Sequence, residues 1–280
     1  MAGHWTLDTI KWADFDSSKI DPLLLKAVKA ASLVEYNAMD YVDYLKAVFT
    51  GDAETLAEVE RWGWEEVQHG EALGRWAEMA DPSWSFKDAF QRFKAGYKPS
   101  HFLNPNGSIR GSRVGELIAR CVVECGTSSY YTALRDEAQE PVLKQIAHMI
   151  ASDEFKHYRL FYDLMAKQPE RKPNFLRRLW IAMTRVSEAE DDELASAFYY
   201  ASVSKDEEAR ISYDRKKYAA LYEQHASRFY RQQHIERAVS MIAKAVGEFH
   251  PESRVVRWSG RAAWALFRWR AKQDVTAQAA

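Results

Sequence analysis

Two Glu-x-x-His motifs stand out in the chain: Glu66-Val67-Gln68-His69 and Glu154-Phe155-Lys156-His157. On a helix, positions three apart lie on one face a turn apart, so a carboxylate and an imidazole from each motif can reach one point. One such motif is weak evidence, because chance supplies it in many helical chains. Two further glutamates strengthen the reading. Glu35 sits in Leu33-Val34-Glu35-Tyr36, and Glu124 sits in Cys121-Val122-Val123-Glu124-Cys125. A carboxylate in so apolar a setting must be paired, protonated or bound to a metal. Oxygen donors combined with imidazole suit iron or manganese better than soft-ligand metals.

The elements that would position these residues are helices. Apolar residues recur at helical spacing through most of the chain, and strand patterns are nearly absent. Glycine and proline fall at a few breaks: Gly51, Pro82, the stretch 96–111, Pro141, Pro169 to Pro173, and Pro251. These leave expected helices at 22–49, 53–80, 110–137 and 141–167, then at 174–186, 190–203, 205–224, 227–248 and 251–273. The domain reading is an N-terminal segment 1–21, a four-helix bundle 22–167 and a C-terminal helical extension 168–280 packed on the bundle.

The spacing is internally consistent. Glu35 precedes Gly51 by 16 residues and Glu66 follows it by 15, so an antiparallel hairpin sets them level. Glu124 and Glu154 each lie 15 residues from Gln139. The halves repeat, with 89 residues from Glu35 to Glu124 and 88 from Glu66 to Glu154. Two helical hairpins joined by a long crossover, with four carboxylates and two imidazoles at one height, resemble ferritin-like di-iron and di-manganese bundles. The fold expectation is therefore all-α, a ferritin-like four-helix bundle with additional C-terminal helices.

The residues around the motifs resemble the soluble acyl-acyl carrier protein desaturases. Glu65-Glu66-Val67-Gln68-His69-Gly70-Glu71-Ala72-Leu73 is similar to that family's E-E-x-x-H-G-x-x-L segment, and Asp153-Glu154-Phe155-Lys156-His157 to its D-E-x-x-H segment. Thr127 follows Glu124 by three residues, where the family has a threonine beside the oxygen-binding side of its cluster. The likeness covers roughly 22–167; the C-terminal third carries no motif that aligns. It implies two iron ions, with manganese as the alternative in one or both positions. Glu66 and Glu154 would bridge them, Glu35 and Glu124 would be terminal carboxylates, and His69 and His157 would each ligate one ion. Asp153 would accept a hydrogen bond from a ligating imidazole and orient its ring. Thr127 would manage protons during oxygen activation.

The activity so implied is oxygen-dependent desaturation of an acyl chain on acyl carrier protein. Hydroxylation or N-oxygenation of another small molecule, and ferroxidase or iron storage, are the alternatives. The aromatics near the ligands in sequence, Tyr36, Tyr41, Tyr130, Tyr131 and Phe155, fit the lining of an apolar substrate channel. Cys121 and Cys125 are expected to be reduced core thiols, and without a CxxC pair the electrons must come from a separate donor such as a ferredoxin. Trp5 and Trp12 are the candidates for electron entry. The resemblance also suggests a homodimer.

Composition narrows the partners. The chain has 280 residues, is 47% hydrophobic and 28% charged, and carries a formal net charge of -1, so no global field draws it to nucleic acid or membrane. The N-terminus has no signal-peptide pattern and no stretch is apolar enough to span a bilayer, which makes the cytoplasm the expected location. Local charge differs from the average. In 251–273, Arg254, Arg257, Arg261, Arg268 and Lys272 share one helical face, and Val255, Val256, Trp258, Ala262, Leu266 and Trp269 lie opposite. Such a helix suits an acidic carrier protein or an anionic membrane surface. The acidic run 188–193 is expected either to balance it within the chain or to be plain solvent-facing charge.

Overall fold

The computed structural model describes residues 4–99, 107–188 and 192–278, with side chains excepted at 187, 188 and 271–278. Part of the stretch 96–111, Glu190 and Asp191 of the acidic run, and the side chain of Lys272 lie outside the described residues. The described chain is all-helical, without strands. Three single 3-10 turns at Leu7–Thr9, Trp12–Asp14 and Ser17–Lys19 lead into α1 (Pro22–Tyr36), α2 (Ala38–Val48), α3 (Ala53–Ala80) and α4 (Phe86–Gly96). Next come α5 (Arg113–Glu137), α6 (Pro141–Lys167), α7 (Phe175–Glu188), α8 (Asp192–Ser202) and α9 (Lys205–Glu208). The chain ends with α10 (Arg215–Ser227), α11 (Gln232–Gly247) and α12 (Arg254–Gln278).

Two compact units divide the chain. The first comprises Met1–Pro105, Arg135–Met149 and Glu190–Ala226, the second Asn106–Leu134, Ile150–Ala189 and Ser227–Ala280. In the first unit α1 packs on α3 and α8, α2 on α3, and α4 on α8. The helix starts follow capping chemistry. Asp21 accepts from the amides of Leu23 and Leu24 with Pro22 at the first helical position, and Asp52 accepts from Thr55 N. The start of α6 is tied to the N-terminal segment through Glu140. Its buried carboxylate accepts from Trp76 Nε1 at 2.7 Å, Leu143 N at 2.7 Å and Asp16 N at 3.1 Å.

The expected helix 22–49 is in fact two. Asn37, at φ -80° and ψ 2°, separates α1 from α2, and its side chain is engaged elsewhere: Nδ2 donates to Glu193 Oε1 at 3.3 Å and Oδ1 accepts from Lys94 Nζ at 3.1 Å. The backbone tightens on both sides, with Asn37 N donating to Val34 O and Asp40 N to Asn37 O. Asparagine is prone to exchange helical continuity for such bonds. Helix α4 was not expected at all, although Ser85 accepts from Asp88 N at its start and Phe86, Phe90, Phe93 and Tyr97 follow helical spacing. Those aromatics pack with Tyr199, Tyr200 and Tyr218 in one cluster. The expected helix 205–224 also splits. Asp214 starts α10 anew by accepting from Lys217 N, and Tyr199 holds the intervening turn by donating to Ile211 O.

In the second unit the parts of α5 and α6 it contains run antiparallel. Ser128 Oγ donates to Ala151 O at 3.3 Å, and Cys121 Sγ lies 3.8 Å from Tyr158 O. Helix α11 accepts from both: Ser129 Oγ donates to His234 O at 2.9 Å and Tyr158 OH to Met241 O at 2.8 Å. Helices α7 and α12 each pack on α11. Cys121 and Cys125 are free and buried, as expected, and burial raises both thiols above their ordinary range.

Candidate functional site

In the first unit, Glu35 comes from the last turn of α1, and Glu66 and His69 from one face of α3. All three are buried, with His69 at 0% exposure, and each presents one ligand atom within 4.8 Å of the others. His69 Nδ1 lies 3.4 Å from Glu66 Oε2. A glycine makes this convergence feasible. A Cβ on Gly70 would stand 2.5 Å from Tyr36 N and 2.7 Å from Tyr36 Cβ, so α1 and α3 approach at the residues next to Glu35 and His69 because Gly70 has no side chain.

In the second unit, Glu124 projects from α5, and Glu154 and His157 from α6. These too are buried, with one ligand atom of each within 4.8 Å of the others. His157 Nδ1 lies 3.6 Å from Glu124 Oε2. Thr127, one turn along α5 from Glu124, donates its hydroxyl to Glu154 Oε2 at 2.5 Å while contacting Val123 O and Glu124 O. Asp153 is buried and accepts from Lys156 Nζ at 2.8 Å.

The donors suit a cation. Glu124 is 1% exposed and its Oε1 has no hydrogen-bond partner, and a carboxylate oxygen buried in that way is costly unless a cation meets it. Two carboxylates and one imidazole within ligand distance are a hard-oxygen and nitrogen set, compatible with a metal in each triad.

The aromatics expected near the ligands have other engagements. Tyr36 makes edge contacts with Phe86 and Phe90. Tyr41 OH donates to the buried Glu193 at 2.6 Å. Tyr130 packs on Tyr131 and Phe229, and Phe155 is exposed with the Arg237 guanidinium over its ring. Of the two tryptophans weighed for electron entry, Trp5 stacks on His69, whereas Trp12 donates to Leu7 O and lies under Arg75. Trp5 is fixed by Gln68, whose Nε2 donates to Trp5 O at 3.0 Å. Nothing in the local sequence around Trp5 signals this stacking, because it depends on the path of the N-terminal turns. Glu140 and Glu193 were likewise not singled out by sequence reasoning; both are buried acceptors that organise the first unit.

No protein-family model, curated protein or solved structure matches this chain. Among the described residues, no helix is long and apolar enough to cross a membrane.

Proposed function

We propose that the two triads together hold a pair of iron ions in a ferritin-like bundle, and that the protein is an oxygen-dependent oxidoreductase acting on an acyl chain carried by acyl carrier protein. The observation that carries the reading is the same donor set in both halves: one lone glutamate and one Glu-x-x-His motif converge as a buried triad in each unit. Support for joining them comes from sequence, since the level positions in each hairpin and the 88- and 89-residue repeat are those of a four-helix site. Paired irons, when bound and reduced, would supply the oxygen activation needed to break an unactivated C–H bond, which side-chain acids and bases cannot break at neutral pH.

The roles of the chain's own groups in this reading are those the resemblance implies. Glu35, Glu66, Glu124 and Glu154 would supply the carboxylates that hold the ions, and His69 and His157 the nitrogen ligands. Thr127 holds Glu154 Oε2 through its hydroxyl, which fixes one lone pair of that carboxylate and leaves a proton at the Thr127 oxygen. Asp153, buried beside Glu154 in sequence, keeps negative charge next to the site and receives Lys156 from outside. Electrons come from a separate donor.

Metal analysis of the purified chain tests the first step. Two iron ions per chain are expected, with Glu66→Ala or Glu154→Ala abolishing them; retained stoichiometry in both variants would refute the site. The activity test adds reductant, oxygen and acyl-carrier substrate. Loss of two hydrogens from the acyl chain supports the reading, gain of an oxygen atom favours hydroxylation, and iron oxidation without organic turnover favours a ferroxidase.

A further inference from the structure

Two helices of the second unit carry their apolar residues on the outside. In α7 the residues facing inward are Ile181 and Ala182, with Ile181 seated where a Cβ on Gly115 would touch it at 3.1 Å. The wider apolar stripe, Leu176, Leu179, Trp180, Met183 and Val186, is exposed, Leu176 at 73% and Trp180 at 61%. Its spacing of i, i+3, i+4, i+7 and i+10 makes it one continuous face.

Helix α12 repeats the arrangement. Its inward face includes Val256, Gly260 and Phe267, with Gly260 over Glu236 and Phe267 against Tyr230 of the loop before α11. Its outward face is Val255, Trp258, Ala262, Leu266 and Trp269, within an arc of about 80°. All five are exposed, Trp258 at 71% and Trp269 at 55%. The sequence pattern had grouped Val256 with these; it belongs instead to the packed side. Arg254, Arg257, Arg261 and Arg268 occupy an adjoining arc of about 60° and are also exposed. No acidic residue occurs in 175–186 or in 254–270, whereas Arg177, Arg178, Arg185 and Arg270 add to the positive charge.

We infer that α7 and α12 dock the protein in the plane of an anionic lipid surface. Water-facing stripes of this size are unusual on a soluble chain and mark an interaction face. Tryptophan and leucine beside arginine are what an interfacial helix uses, burying the apolar row at the level of the headgroups while the guanidinium groups meet lipid phosphates. A second copy of this chain fits less well, since a symmetric contact sets the same surface against itself and neither helix offers carboxylates to answer its partner's arginines. The inference does not depend on the metal reading, because no residue in either stripe belongs to a triad.

Co-sedimentation of the full chain with extruded vesicles tests it. Binding to vesicles of equal phosphatidylglycerol and phosphatidylcholine is expected, and at least about tenfold weaker binding to phosphatidylcholine alone. Arg257→Gln with Arg261→Gln should weaken binding to the anionic vesicles roughly 25-fold, at about fivefold per charge. Trp258→Ser with Trp269→Ser should weaken it as well; these exposed positions leave the fold intact, which circular dichroism checks. Absence of binding to anionic vesicles, equal binding to both compositions, or a dimer in solution that the tryptophan pair dissociates would each overturn the inference.

Discussion

The indole of Trp5 lies face to face with the imidazole of His69, ring centroids 5.8 Å apart and planes 5° from parallel. His4 stacks in turn on Trp5, at 5.6 Å, and Gln68, the neighbour of His69 on α3, anchors the Trp5 carbonyl. The N-terminal turns thus place a rigid aromatic plane against a candidate ligand ring. That plane restricts the ring's rotation and keeps water from one of its faces, which are the ways surrounding groups tune a metal ligand.

Replacing Trp5 by Ala should therefore lower metal affinity about tenfold, within the range seen when groups supporting a ligand are removed. Trp5→Phe keeps a flat apolar ring and should retain most of the affinity. Competitive titration against a chelator of known affinity measures both, and an unchanged Trp5→Ala value would show that the stack does not hold the ring.

Gly70 and Gly126 are both helical glycines, yet their surroundings predict opposite outcomes. Gly70→Ala forces a methyl group onto the Tyr36 backbone and should cost about 1–3 kcal/mol and pull Glu35 away from His69. Gly126 is exposed with nothing within 4 Å of a built Cβ, so Gly126→Ala should stabilise α5 by up to about 1 kcal/mol. Urea unfolding of the two variants gives the comparison, and metal titration should show loss in the first alone.

Thr127→Val removes the hydroxyl that donates to Glu154 while keeping shape. The metal-free protein should lose about 1.5–3 kcal/mol, as for a hydrogen bond to a charged group, and Thr127→Ser should lose less. Equal stabilities for Val and Ser by urea unfolding would count against the bond.

The donor pairs were legible in the sequence because they rest on local geometry: Glu66 with His69, and Glu154 with His157, share a helix face wherever the helix lies. The ends of α3 and α6 were legible too, since Asp52, Pro141 and the residues around Pro169 break or cap helices by their own chemistry. The break at Asn37 was not, because it depends on Glu193 and Lys94, 156 and 57 residues away. Helix α4 has local signals in Ser85 and the Phe86–Phe90–Phe93 spacing, but it is short and lies between the breaks at Pro82 and 96–111, where no helix is expected from the sequence. The outward stripe of α7 escaped for a different reason, whereas that of α12 was legible apart from Val256. Periodicity identifies an apolar face without saying which side meets the protein, and here the wider face meets solvent.

A last prediction concerns acid. Lys29 on α1 reaches Asp81 at the end of α3, with Nζ 2.6 Å from Oδ2, and also lies over the Trp84 ring. The Lys29 hydrogen bond first, and the Ser83 bonds with it, hold the Asp81 carboxyl below its ordinary range. A carboxyl lowered by folding adds stability above its unfolded value, and that contribution is lost as pH falls through the folded one. The clamp between the two helices carrying Glu35, Glu66 and His69 should therefore be intact at neutral pH and released only as pH falls below the ordinary carboxylate range. Asp81→Asn should melt at lower temperature than the parent chain at neutral pH, with the gap closing in strong acid. A gap that persists undiminished in strong acid would mean that the ion pair is not what joins α1 to the end of α3.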